Sequence, residues 1–367
     1  MTATAHSDWM ATALTLACHG EGLTRPNPPV GAVVVRAGRI VGKGWHRRAG
    51  GPHAEVYALR QAGPQAQGAT LYVTLEPCST RGRTAPCTDA IVAAGIRQVV
   101  WSVDDPNPAH AGRASHLLRR HGITVVRGVN APEGHALIAP FACLQRTGRP
   151  MVTLKLGLTL DGKIADRRGQ SRWITGPAAR EQVQTLRRRV DAIWVGGGTV
   201  RADNPSLWPR PAKGRTPWRI VQDGAGHTSH RAHVFTDTHA TRTCIALDRR
   251  STARQRQAFT RHGACVITVP QNPVRAVQRV CAQLGEWGAL HILCEGGGEL
   301  ADALLRARCV DELWLFVAPK LMGGRDSIPA IGGRGRLMND LENWEFVEPK
   351  RVGIDCLLRA RPRTNQR

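Results

Sequence analysis

Strand-like and helix-like patterns alternate along almost the whole of this 367-residue chain, and the alternation breaks once, at Thr147-Gly148-Arg149-Pro150. A chain of that kind buries itself by packing helices on sheets, so the fold class is α/β. The break is polar, short and helix-breaking, which predicts two domains, 1–147 and 148–367. In the first, Trp9, Ala13, Leu14 and Ala17 share a helical face that ends near Gly20 and Gly22. Strands are expected at Val30 to Val35, Ile40 to Trp45, Ala69 to Leu75, Gln98 to Val103 and Ile123 to Val126. Helices are expected at Ala54 to Ala62, Cys87 to Ala94 and Ala114 to Arg120. In the second, strands are expected at Met151 to Leu156, Ala192 to Val195, Arg219 to Gln222, Cys244 to Leu247, Ala264 to Val269, Leu290 to Cys294 and Glu312 to Ala318. Helical patterns at Ala178 to Arg189, Val274 to Leu284 and Glu299 to Arg306 separate several of these, as in a mainly parallel sheet covered on both faces.

Charge narrows the function classes. The 51 Lys and Arg outnumber 28 Asp and Glu, a formal net charge of +23, which opens the question of a nucleic-acid partner. Only six of the basic residues are Lys, and so lopsided a ratio fits scattered compositional bias. The excess is also uneven: 15 basic against 8 acidic residues lie in 1–148, and 36 against 20 in 149–367. No apolar stretch is long enough to span a bilayer, and Met1 to Trp9 has no leader pattern, so a cytoplasmic protein without a membrane partner is expected. Eight of the ten cysteines stand alone, mostly in apolar runs, and read as small buried hydrophobes. Cys78 and Cys87 differ.

His53-Ala54-Glu55, Glu76-Pro77-Cys78 and Pro86-Cys87 supply one imidazole and two thiolates. These satisfy three positions of a tetrahedral Zn²⁺ and leave the fourth for water. An open position is what hydrolysis needs, because the metal makes water acidic near neutral pH. Glu55, in the first turn of the helix after His53, can move a proton to a leaving amine without being a ligand. The arrangement matches the H-x-E and P-C pattern of zinc nucleobase deaminases, but the two cysteines are nine positions apart instead of three. A closed structural site would want a fourth protein ligand; His46 lies in a loop context and reads as pocket lining or an ordinary polar residue.

The longer spacing carries a family resemblance. Pro26-Asn27-Pro28-Pro29-Val30-Gly31, the His53, Cys78 and Cys87 motifs with Ser79 and Gly82-Arg83-Thr84, and Asp105-Pro106-Asn107-Pro108 resemble the deaminase half of the bifunctional riboflavin-biosynthesis deaminase–reductases. The resemblance continues past the break through Leu156-Gly157, Leu160 to Ala165, Ser171, Trp173-Ile174-Thr175, Gly198-Thr199, Ala202 to Pro205 and Glu295-Gly296-Gly297. It implies a cytidine-deaminase-like α/β/α domain followed by a dihydrofolate-reductase-like domain. The first would remove the 2-amino group of a diaminopyrimidinone ribotide, and the second would reduce its ribose to ribityl with NADPH. By position, His53, Cys78 and Cys87 would bind zinc, Glu55 would shuttle the proton and Asn27 would help hold substrate. Two departures stand out. Thr80-Arg81 replaces the usual His-His or His-Tyr after Ser79, and Gly224 stands where a hydroxyl residue is usual.

For the second half, the residues alone offer two glycine triplets, Gly196 to Gly198 and Gly296 to Gly298, each after a predicted strand. Such glycines let backbone approach phosphate, although neither triplet fits G-x-G-x-x-G. The resemblance adds Gly157, Trp173, Thr199, Asp203 and a loop of Gly297, Gly298, Glu299 and Leu300 as NADPH contacts. Ser171, Arg187, Leu207, Arg210 and Glu295 would hold the substrate, the arginines suiting its phosphate. Taken singly, Trp173 reads more readily as core than as a cofactor platform, Arg187 could belong to a solvated Arg187-Arg188-Arg189 face, and Asp203 could be turn chemistry before Asn204-Pro205.

The expected molecule is thus a zinc- and NADPH-dependent enzyme acting on a phosphorylated pyrimidine, a homo-oligomer without a nucleic-acid partner. A zinc deaminase acting on bases in RNA is the alternative; it fits the charge but not the cysteine spacing or the glycine-rich second half. A non-enzymatic binding protein would have no need of complete ligand, shuttle and cofactor positions. No acid–base pair is evident for the reduction.

Overall fold

A computed structural model describes residues 3–81, 85–107, 110–211 and 216–363. Gly82-Arg83-Thr84 and Pro108 of the motifs above lie outside the described residues. The chain forms two compact units, Met1–Gly148 and Arg149–Arg367.

The first unit runs α1 (Ala3–Ala17), β1 (Gly31–Arg36), β2 (Arg39–Trp45), α2 (Ala54–Ala62), β3 (Thr70–Leu75), α3 (Cys87–Ala93), β4 (Gln98–Val103), α4 (Arg113–Arg120), β5 (Thr124–Arg127) and α5 (Ala131–Thr147). Its sheet has the order β2-β1-β3-β4-β5, with β3, β4 and β5 parallel and β1 antiparallel to both neighbours. The period of two sorts the strand side chains. Ala32, Val34, Leu71, Val73, Val99 and Trp101 face Ala58, Ile91 and Leu118 of α2, α3 and α4. Val33, Val35, Tyr72 and Val100 face Met10 and Ala13 of α1. Ile138 of α5 closes the same layer against Leu75 and Val103. This is an α/β/α sandwich.

Every strand and helix expected in this unit is present, within a residue or two at the ends. The sequence reading missed α5. Gly134 and an internal Pro140 obscure its helical pattern, yet the glycine has a packing reason. A Cβ there would lie 2.2 Å from Ser102 Oγ and 2.9 Å from Val103 Cγ1, so only glycine lets α5 settle on β4. The helix ends at Gly148, whose φ of 70° supplies the left-handed cap.

The second unit runs β6 (Met151–Thr159), β7 (Lys163–Ala165), α6 (Pro177–Arg189), β8 (Ala192–Gly196), α7 (Gly197–Asp203), β9 (Trp218–Gln222), α8 (His233–Thr236), β10 (Thr243–Leu247), α9 (Ala253–Thr260), β11 (Cys265–Thr268), α10 (Pro273–Glu286), β12 (His291–Cys294), α11 (Gly298–Arg306), β13 (Glu312–Ala318), β14 (Ile328–Pro329), β15 (Trp344–Val352) and β16 (Asp355–Pro362). The large sheet has the order β11-β10-β9-β8-β12-β6-β13-β16-β15. It is parallel from β11 to β13, and then β16 and β15 form an antiparallel hairpin that the sequence reading missed. One face packs Leu154, Trp194, Ile220 and Ile292 on α10 and α11; the other packs Ile193, Val195, Val221 and Leu293 against Leu186, Phe235 and Phe259. Because β12 inserts between β6 and β8, the chain's progression across the sheet reverses there, the place where open α/β sheets leave a crevice beyond their strand ends.

Most of the solitary cysteines are buried as expected, but Cys18 is exposed, and Cys265 and Cys356 are only partly covered. Cys18 follows the last turn of α1 in a short 3₁₀ turn, outside the layer that α1 covers.

Candidate active sites

In the first unit, His53 is the N-cap of α2, in extended conformation, and Cys87 is the first residue of α3. Both helix starts point at the loop after β3, which carries Cys78. Glu76 shapes that loop: its buried carboxylate accepts N–H groups from Asp105 (3.3 Å), Gly112 (3.0 Å) and Ala114 (3.2 Å). His53 Nδ1 lies 3.1 Å from Cys87 Sγ and 3.5 Å from Cys78 Sγ. All three donor atoms fall within 4.8 Å of one another. Zinc–ligand bonds of about 2.0–2.3 Å require donors roughly 3.5 Å apart, so the set fits a tetrahedral zinc with one position open.

The two thiols share charge unequally. A hydrogen bond from Cys87 depresses the Cys78 thiol to about 4, with His53 and the Cys87 backbone N–H adding to the effect; that N–H donates at 3.2 Å. The same bond, reinforced by burial, holds Cys87 up. Glu55 is 3% exposed, and burial raises its carboxyl. Its Oε2 has no hydrogen-bond partner in the protein. A buried carboxylate oxygen left open beside three converging ligands can accept a proton from a water there.

His46 has a definite place. Its ring packs edge-on against His53, with centroids 5.2 Å apart. Burial lowers its pKa, so the ring is neutral. Nδ1 donates to the Pro52 carbonyl at 3.0 Å, and Nε2 then accepts from Asn27 Nδ2 at 3.2 Å. Asn27 is thereby held with its amide oxygen free for a ligand. Thr80, one of the departures, meets His110 Nδ1 at 2.9 Å through its hydroxyl, and Arg81 is exposed.

The second unit holds a cavity of about 1270 Å³ over the carboxyl ends of its parallel strands. Gly157, Ser171, Trp173, Arg187, Thr199, Asp203, Leu207, Arg210, Glu295, Gly297, Gly298, Glu299 and Leu300 all line it. Gly297 to Leu300 are the N-cap and first turn of α11, which starts at Gly298, one residue before the helix expected from Glu299. There Gly298 meets a packing demand, since a Cβ would lie 2.9 Å from the Gly332 nitrogen. Trp173 is 62% exposed and therefore not a core residue, with the Arg180 guanidinium 4.5 Å over its ring. Asp203 pairs with Arg172 at 3.3 Å, and Asn204 provides the left-handed cap of α7. Leu207 is buried, while Arg210 is exposed and its backbone N–H donates to Gln184 at 2.8 Å.

Arg187 leaves the solvated face on which its run could have placed it. Its Nε and Nη2 donate to Glu295 at 2.6 and 3.0 Å. Lys155, which the sequence reading overlooked, reaches the other side of that carboxylate at 3.0 Å. Burial would raise Glu295, but Arg187 and Lys155 override it and hold the carboxyl at about 2. The signal for Lys155 was available: it is the one charged residue in the apolar run of β6. Two cations on one buried carboxylate leave a net positive charge on the cavity wall, suited to phosphorylated ligands.

Comparisons with known proteins agree with both geometries. The profile of the RibD C-terminal domain matches residues 150–358, and that of the cytidine and deoxycytidylate deaminase zinc-binding region matches residues 3–103. The chain is 41% identical to the riboflavin biosynthesis protein RibD of Bacillus amyloliquefaciens, over 97% of this chain and 96% of that one. It is 40% identical to RibD of Escherichia coli K12, over 95% and 97% of the two chains. Among solved structures, Acinetobacter baumannii RibD superposes with a TM-score of 0.86 at 34% identity, covering 98% of this chain and 99% of that one. The Thermotoga maritima diaminohydroxyphosphoribosylaminopyrimidine deaminase/5-amino-6-(5-phosphoribosylamino)uracil reductase gives the same score, identity and coverage. The chain therefore belongs to the RibD family and is a zinc- and NADPH-dependent deaminase–reductase of riboflavin biosynthesis.

Proposed function

We propose that residues 1–147 carry the deaminase and residues 148–367 the reductase, with the work divided among the side chains as follows. His53, Cys78 and Cys87 hold zinc, which when bound supplies the Lewis acidity that makes water nucleophilic at neutral pH. Glu55 takes the proton from water at Oε2 and returns it to the departing amine, while Asn27, steadied by His46, orients the diaminopyrimidinone ring. The open Oε2 of Glu55 is the observation that carries this reading.

In the second cavity, NADPH supplies the hydride that reduces C1′ of the ribose of 5-amino-6-(5-phosphoribosylamino)uracil. Gly157, Trp173, Thr199, Asp203 and Gly297 to Leu300 form the cofactor side of the wall. Ser171, Arg187, Leu207, Arg210 and Glu295 form the substrate side, where Lys155 fixes Glu295 and keeps donors for substrate oxygens. Rate enhancement there comes mainly from holding nicotinamide and sugar in register. Arginine, with its planar fork, is the residue suited to the substrate phosphate.

The ten cysteines without a disulfide support a cytoplasmic setting, and no helix of the described residues is long and apolar enough to cross a membrane. The charge excess after Arg149 supports phosphorylated small molecules over nucleic acid as partners. Exposed Leu337, Met338 and Leu341 support a homo-oligomer.

The test supplies the diaminopyrimidinone ribotide with and without NADPH and follows products by mass. Replacement of the amine by oxygen is expected without NADPH, and a further gain of two hydrogens with it. No mass change in either reaction overturns the reading. Glu55→Gln is expected to slow deamination by roughly 10²–10⁴-fold and to leave reduction of supplied intermediate intact.

A further inference from the structure

Two buried aspartates stand at neighbouring strand ends of the reductase cavity, and each locks an arginine. Asp248 follows β10. It accepts Arg250 Nε at 3.1 Å on each oxygen, Nη2 at 2.5 Å and the Arg250 backbone N–H at 2.8 Å. Asp223 follows β9. It accepts Arg201 Nη1 at 3.3 Å and both the backbone N–H and hydroxyl of Thr228 at 2.5 Å. The carboxylates are sunk, with side chains 2% and 7% exposed, while the Arg250 and Arg201 side chains are 52% and 47% exposed. Both arginines line the cavity.

A guanidinium carries five N–H donors in a rigid fork. Arg250 commits Nε and Nη2 to Asp248, and Arg201 commits Nη1 to Asp223, so each keeps donors for a ligand. A carboxylate at such a strand end ordinarily accepts the ribose 2′-hydroxyl of NADH, and an arginine accommodates a 2′-phosphate. Here the carboxylates are already engaged, and the charge presented to a ligand is the arginines'.

Gly224 makes the arrangement possible. A Cβ at that position would stand 2.4 Å from Asp248 Oδ2 and 2.9 Å from Arg250 Nη2. The glycine thus keeps open the space that the ion pair fills, which gives its departure from the usual hydroxyl residue a physical reason. Three strands, β9, β8 and β12, separate β10 from β6, where Gly157 and Lys155 lie. At about 4.8 Å per strand that is roughly 19 Å, room for an extended dinucleotide between the two ends.

We propose that Arg250, locked by Asp248 and admitted by Gly224, acts with Arg201 to bind the 2′-phosphate of NADPH and sets the preference for NADPH over NADH. The inference rests on the reductase reading above. Calorimetric titration of the full chain with NADPH, NADH, 2′,5′-ADP and 5′-AMP tests it without turnover. Wild type is expected to bind NADPH and 2′,5′-ADP at least tenfold tighter than NADH and 5′-AMP. Arg250→Ala is expected to remove about tenfold or more of the affinity for the two 2′-phosphorylated ligands and to shift NADH by less than twofold. Gly224→Ala, which displaces the pair without removing a charge, is expected to act in the same direction. Equal losses for NADPH and NADH, or none for either, would overturn the proposal while leaving the reductase reading standing. Failure of wild type to bind either dinucleotide would instead bring down the reductase reading itself. Near-wild-type NADH binding together with an unchanged thermal unfolding of residues 149–367 reports that the reductase unit of each variant is folded.

Discussion

Single side chains decide both chemistries, and most decide by what holds them. Asn27 is the clearest case, since His46 fixes which end of its amide is left open. His46→Phe keeps the packing against His53 but drops that hydrogen bond, worth about 1 kcal/mol. Steady-state kinetics should show KM for deamination rising roughly fivefold with kcat little changed. Glu295 is held by charge, and the sign of its pH dependence follows. Its folded value of about 2 lies below the ordinary 4.5, so its stabilising contribution is complete above pH 4.5 and is lost as pH falls towards 2. Glu295→Gln strands the buried Arg187 and is expected to cost about 3–5 kcal/mol at pH 7 in urea unfolding. The gap to wild type should close over that acidic window; a gap independent of pH would refute the charge assignment. Lys155 shows what a sequence hides: its neighbours spell a strand, but the carboxylate it serves lies 140 positions further along the chain.

At the level of elements, packing against a neighbour outweighs local pattern wherever the two disagree. Gly134 is the sharpest instance, because α5 can approach β4 only without a side chain there. Gly134→Val is expected to destabilise the chain by about 1–3 kcal/mol, read as a lower Tm, with zinc content unaffected. The strands and helices legible in the sequence are those whose burial is periodic, such as β1 with its alternating Val33 and Val34 and α10 with Val277, Val280, Cys281 and Leu284 on one face. What escaped has a physical signature too. α5 carries Pro140, while Glu345, Glu348, Pro349 and Lys350 give β15 the composition of a loop. The cluster of His53, Cys78 and Cys87 was legible because metal chemistry restricts residue type and spacing. The Asp248–Arg250 lock was not, because nothing local to residues 248–250 announces Gly224 as its counterpart.

Across the whole molecule, the described chain falls into two compact units with a boundary at Gly148. Each has its own sheet and its own cores, and none of the functional groups assigned to one reaction comes from the other half. Expressed separately, residues 1–148 are expected to retain stoichiometric zinc, measured by metal analysis. Residues 149–367 are expected to bind NADPH, measured by fluorescence titration; loss of both properties would show that neither half holds its site alone. The large sheet has a further consequence at its margins. A long open sheet risks recruiting other chains, because an outer strand offers unpaired N–H and C=O groups as a template. One margin here is β11, only four residues long, and the other is β15, which has Pro349, a register shift between Val347 and Lys350, and charges at Glu345, Glu348, Lys350 and Arg351. The hairpin that interrupts the parallel order thus also caps it against fibrillar growth, and a chain crowded in the cell stays a catalyst instead of a seed.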